Sequence, residues 1–256
     1  MDKTEAATTA GLRVARRPRR AVLRRFVPPQ HGAWAMLVVP YLAGILAAGW
    51  RWPDVPLLGA WIFGYLLSYY LFQAVKSRRL SRYRNQLTFY GALTAPLAVL
   101  VTAARPAVLV YAPAYAALVA VNIWFAGRRR ERALINDLAS VVQSCLIVLV
   151  VATIAGTPTA EVLAVYAVCL GYFGGTVLYV KTMIRERGNP AYRLWSAGYH
   201  LLALAAAAWL NPWAAALFAW LLVRAVLLPG SGLTPKHVGL IEVVNSALLL
   251  ACTLVL

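Results

Sequence analysis

All but two of the chain's 25 Lys and Arg residues fall in alternate gaps between its apolar runs; the exceptions are Arg51 and Arg105. This alternation marks a polytopic membrane protein, because positively charged loops stay on the cytoplasmic side of a bilayer. It also reassigns the net charge of +17. A basic chain of this size invites a nucleic-acid reading, but here the charge borders membrane spans. No nucleic-acid partner is expected.

Composition agrees with lipid as the solvent. Of 256 residues, 62% are hydrophobic and only 13% charged, which is outside the range of ordinary soluble domains. A backbone in lipid must satisfy its own hydrogen bonds, and the continuous, non-alternating runs exclude a β-barrel. A spanning helix needs roughly 20 apolar residues. The runs therefore predict an all-α, polytopic transmembrane helical bundle of about nine spans, over 33–50, 56–75, 87–104, 107–126, 134–155, 160–180, 194–210, 212–228 and 238–256. Spans 7 and 8 are short and separated only by Asn211 and Pro212. They form a tight hairpin or one re-entrant unit, so the count is eight or nine.

Loop charge places the N-terminus inside and the protein in the inner (cytoplasmic) membrane as a multi-pass chain. Residues 1–27 read as a basic, disordered cytoplasmic tail beside anionic headgroups, and residues 28–256 as the transmembrane domain. The tail has no apolar core of its own, unlike a secretory signal peptide. Trp50, Trp52, Trp209 and Trp213 flank the outer boundary as interfacial anchors. Cys145, Cys169 and Cys252 lie within apolar runs without metal-like spacing, so no metal site is expected and no cofactor is indicated.

The polar residues that intrude into the spans collect near their cytoplasmic ends. They comprise Gln30 and His31 before span 1, Asn136 and Asp137 opening span 5, and Lys181, Arg185, Glu186 and Arg187 closing span 6. Tyr199 and His200 lie in span 7, and Lys236 and Glu242 open span 9. Ser140, Gln143 and Ser144 extend the span 5 set into a stripe. Ionisable groups at membrane depth are costly unless paired or wetted, which makes them candidates for function. Cations outnumber acids in this set, and Arg grips phosphate or carboxylate through paired hydrogen bonds. The expectation is a polar pocket opening to the cytoplasm, with these twelve residues as candidate binders of an anionic or phosphorylated, lipid-linked ligand. Interhelical hydrogen bonding is the competing explanation.

Several stretches resemble the YwiC-like family of bacterial membrane proteins. They are Pro29-Gln30-His31-Gly32-Ala33-Trp34, Glu131-Arg132-Ala133 with Asn136-Asp137-Leu138, and Tyr179 through Asn189. Ser196 with Tyr199-His200, and Pro235-Lys236 with Gly239 and Glu242, continue the match. The resemblance covers nearly the whole membrane region and brings no activity or catalytic residues with it. The nine-span layout also resembles the UbiA superfamily of intramembrane prenyltransferases, which hold magnesium diphosphates through Asp-rich loops after spans 2 and 6. Here the loop after span 2, Lys76 to Asn85, carries no acid, and the loop after span 6 has only Glu186. If the chain is an enzyme, that resemblance implies an intramembrane transferase with altered phosphate recognition. A small-molecule transporter and a noncatalytic membrane assembly partner remain open beside it.

Overall fold

A computed structural model describes Phe26 and residues 31–256, with the backbone alone for His31. The basic tail, Gln30 and the His31 side chain lie outside the described residues. Among those described there are helices and turns and no strand. Nine helical rods follow the nine apolar runs: α1 (His31–Ala48), α2 (Asp54–Ser77), α3 (Leu80–Ala104), α4 (Pro106–Gly127), α5 (Leu134–Ala155), α6 (Thr159–Ile184), α7 (Pro190–Leu210), α8 (Pro212–Leu227) and α9 (Pro235–Thr253). Short 3-10 turns open α4 and α6, and α5 is interrupted at Leu146. Six rods, namely α2 to α6 and α9, are long and apolar enough to cross a membrane; α1 and α8 are apolar but shorter. The chain is a multi-pass helical membrane protein.

Helix starts follow local chemistry. Asn189-Pro190, Asn211-Pro212 and Thr234-Pro235 each place a capping side chain before a proline at the first helical position. The cap accepts from an otherwise unpaired backbone N–H, and proline has no N–H to leave unpaired there. Spans 7 and 8 are thus two separate helices joined at Asn211. Gly156, at φ +79°, closes α5 in the left-handed conformation that glycine adopts without strain.

The two ends of the bundle differ. At one end Thr157 donates to the Ala48 carbonyl and Asn211 to the Val255 carbonyl. Trp50, Trp52, Trp209 and Trp213 are exposed near that end. At the other, basic end the charged loops meet: Lys76 pairs with Glu131, Lys181 reaches the Arg132 carbonyl, and Arg187 donates to the Leu233 carbonyl. The central helices are α5 and α6, each 56% buried over its apolar window, against 11% for α3 and α4. The main core joins Val39 and Ala43 of α1 to Val148 of α5, Val165 and Cys169 of α6, Phe218 of α8 and Leu249 of α9. The three cysteines are buried and unbonded there.

Candidate functional site

The polar residues of the bundle divide into two clusters on opposite sides of α6. Tyr179 and Lys181 are two positions apart on a helix, so their side chains leave in nearly opposite directions.

On the Lys181 side, Nζ lies 2.8 Å from Asp137 Oδ2 and 2.7 Å from the Arg132 carbonyl. Lys181 is 7% exposed. Its charge is neutralised by the first turn of α5, where an acid also complements the helix dipole. Asn136 donates to the Glu131 carbonyl at 2.8 Å, and Glu131 in turn pairs with Lys76 of α2. The Glu131–Arg132 and Asn136–Asp137 motif therefore ties α2, the α4–α5 loop, α5 and α6 into one knot. The stripe above it is also committed to packing. Ser140 donates to Asn122 Oδ1 at 3.1 Å, Asn122 donates to Gln143 Oε1 at 3.1 Å, and Ser144 donates to the Met36 carbonyl of α1.

The loop pair has a pH consequence. Partial burial works to raise the Glu131 carboxyl, but the Lys76 ammonium outweighs it and holds the group below its ordinary range. A depressed carboxyl contributes stability above its unfolded-state pKa and loses it as pH falls through the folded-state value. Glu131→Gln should therefore flatten the acid limb of a melting-temperature-versus-pH curve. The effect is small, because the pair is partly exposed.

On the other side of α6, groups from three helices meet at one carboxylate, and a fourth helix packs behind them. Glu242 of α9 accepts on Oε1 from Arg224 of α8 and from Asn245 Nδ2 at 3.3 Å. It accepts on Oε2 from Thr176 at 3.0 Å and Tyr172 at 3.4 Å, both on α6. Tyr172 also meets Ser246 at 3.2 Å, and Trp220 donates to Asn245 Oδ1 at 3.0 Å. Arg224 is 2% exposed and stacks over the Tyr179 ring at 4.1 Å. His200 of α7 lies against it, with Nε2 3.5 Å from Arg224 Nη2 and Nδ1 2.7 Å from the Ser196 carbonyl. A carbonyl only accepts and a guanidinium only donates, so Nδ1 carries the proton and His200 is neutral.

The remaining candidates are turn residues or exposed cations. Glu186 accepts from Asn189 Nδ2 at 2.9 Å, and Asn189 caps α7. Gly188, at φ +83°, makes that turn. Tyr199 donates to the Gly171 carbonyl at 3.2 Å. Arg185, Arg187 and Lys236 are exposed at the basic end, and His237 meets Thr234 at 3.1 Å. No group of three or more His, Cys, Asp or Glu among the described residues could hold a metal ion.

Two functional candidates escaped the sequence reading. Arg224 was counted with the loop charges, yet it lies inside α8 within Leu221–Leu228, a charge in an apolar run. Arg193, one turn into α7, borders a groove of about 260 Å³ lined by Leu194, Ala197, Ala225, Val226 and Pro229.

The profile of a family described as YwiC-like protein matches residues 27–152. A Bacillus subtilis protein described as uncharacterized protein YwiC is 32% identical over 237 residues, covering 90% of this chain and 97% of its own. A Haemophilus influenzae protein described as uncharacterized is 34% identical over 246 residues, covering 91% of this chain and 100% of its own. No solved structure matches the chain. With relatives aligned over essentially their whole length and helices beyond residue 152 included in that span, the chain belongs to the YwiC-like family.

Proposed function

We propose that the protein holds an anionic, phosphate-bearing lipid or lipid-linked molecule at the basic end of its bundle. In this reading the chain crosses the inner membrane nine times with that end in the cytoplasm, where loop charge puts it. Residues 1–27 lie beside anionic headgroups as a basic tail, ahead of the transmembrane domain of 28–256.

One contrast carries the reading. The buried cations are neutralised, Lys181 by Asp137 and Arg224 by Glu242. The Arg193 guanidinium at the rim of the α7–α8 groove has no hydrogen-bond or ion-pair partner among the described residues, and the groove below it is apolar. A guanidinium above an apolar slot at the membrane edge suits a phosphate headgroup above an acyl or prenyl chain. Arg185, Arg187 and Lys236, exposed at the same end, add positive charge near it. Lys181, Asp137, Asn136 and Glu186 support this end of the bundle rather than touch the ligand, and Tyr199 packs within it. His31 and Gln30, beside the same boundary in sequence, are ligand candidates on the grounds of their chemistry alone.

The test is native mass spectrometry of protein extracted with its lipids. Removing one charge-assisted hydrogen bond lowers affinity by about tenfold or more. Arg193→Ala should therefore strip most of the phospholipid or prenyl-phosphate adducts, and Arg185→Ala with Lys236→Ala should weaken those that remain. An adduct pattern identical to wild type in Arg193→Ala would overturn the reading.

A further inference from the structure

The cluster around Arg224 contains three buried polar atoms with no partner among the described residues: Arg224 Nε, Tyr179 Oη and Ser196 Oγ. Their residues are almost completely buried, at 2%, 0% and 0% exposure. They belong to three helices, and all three atoms can donate. Antiparallel α6 and α7 set Gly175 against His200, since a Cβ on Gly175 would come within 2.9 Å of Nε2. One turn further toward the basic end, the same pairing of helices brings Tyr179 and Ser196 to a common level. Buried donors left unmade are costly, and several in one place ask for an acceptor.

Charge decides which acceptor fits. Arg224 and Glu242 cancel and His200 is neutral by its hydrogen bonds. An anion entering alone would leave net negative charge inside the membrane domain, which is expensive. An anion entering with one proton keeps the site neutral. Glu242 is the group able to take that proton. Its Oε2 already faces the hydroxyls of Thr176 and Tyr172, which accept as readily as they donate.

We propose that Arg224, Tyr179 and Ser196 form a site for a small carboxylate-type monoanion, bound together with one proton carried by Glu242, while His200 holds the Arg224 guanidinium from the side. The anion takes the place of the Glu242 carboxylate on Arg224, and Glu242 with the added proton becomes a neutral acid. No covalent bond other than that O–H changes. The titratable or charged groups around Glu242 are Tyr172 and Tyr179 on α6, His200 and Tyr199 on α7, and Arg224 on α8. Helix α1 also packs on α9. Over residues 32–48 it carries no charged group, and its Tyr41 donates to the Asp54 carbonyl near the opposite end. Arg224 lies one turn from the C-terminal end of α8, at the basic end of the bundle.

Formate is the probe. Calorimetric titration of the purified protein in two buffers of different ionisation enthalpy should show uptake of about one proton per formate bound. Affinity should weaken about tenfold for each unit rise in pH over the range in which one proton is taken up with each formate. Glu242→Gln should bind formate more tightly, without proton uptake and without pH dependence, because Arg224 is then unopposed. Tyr179→Phe should bind it several-fold more weakly while melting like wild type, since the lost hydroxyl has no partner to forfeit among the described residues. Arg193→Ala should leave formate binding unchanged, which separates this site from the lipid groove. Absence of formate binding, binding without proton uptake, or a Tyr179→Phe affinity equal to wild type overturns the proposal. The first of these outcomes means that water alone serves the three donors. If Glu242→Gln does not fold, proton uptake by the wild type and the Tyr179→Phe affinity still decide it.

Discussion

Arg224→Met should destabilise the protein by about 3–5 kcal/mol, read as a lowered midpoint in thermal or denaturant unfolding in detergent. The substitution keeps the length and most of the apolar stem while removing the charge. Glu242 keeps Thr176, Tyr172 and Asn245 as donors, but its charge then has no counterion in a place where it is 13% exposed. That uncompensated charge, more than the lost bond, sets the size of the effect. The double variant Arg224→Met/Glu242→Gln should recover most of the loss, because it removes both charges and keeps a side chain able to meet the same hydroxyls. The two substitutions touch one network, so their effects are expected to be strongly non-additive. A single variant as stable as wild type would mean that the pair is open to water and not part of the packed bundle.

The helices were legible because each apolar run is closed by a charge cluster or by proline, and the bounds differ where a helix runs on beyond its apolar residues. Span 3 was expected from residue 87, but α3 begins at Leu80 and carries Arg82 and Arg84 on its first turns. A helix that extends into the aqueous phase keeps its hydrogen bonds while losing its hydropathy. Span 9 was expected from residue 238 and begins at Pro235, where the Thr234 cap dictates the start. The site was legible as a list of residues at one end, and not as an arrangement. Periodicity tells which residues share a face of one helix, as with Glu242 and Asn245. It does not tell which helix lies opposite. The pairing of Lys181 with Asp137, and of Arg224 with Glu242, depends on α5 and α9 flanking α6 on different sides. Asn122, which organises the stripe of Ser140 and Gln143, lies in a run with nothing else polar nearby and carried no signal. Arg224 was hidden for a different reason: a rule about loops had already explained its charge.

The second large effect is expected at Gly44, where α1 meets α5. A Cβ there would lie 3.0 Å from Val151 Cβ and 3.2 Å from Val148 Cα. The nearer neighbour is a β-branched residue held in its rotamer and the other is main chain, so neither has a flexible end to swing aside. Gly44→Val adds three carbons in that gap and must push the two helices apart, at a cost of about 1–3 kcal/mol. The strain reaches further than the contact. One turn and a half along α5, Ser144 donates to the Met36 carbonyl of α1, and that bond depends on the same close spacing of the helices. Gly91→Val is the control, because a Cβ at Gly91 meets nothing within 4 Å, and removing glycine from a helix interior costs no helical propensity. Melting of Gly44→Val at the wild-type temperature would show that α1 is free to shift against α5. In that event the Ser144 hydrogen bond follows the packing without helping to set it, and small-residue contact would lose its place as the reason why α1 and α5 lie together at the centre of the bundle.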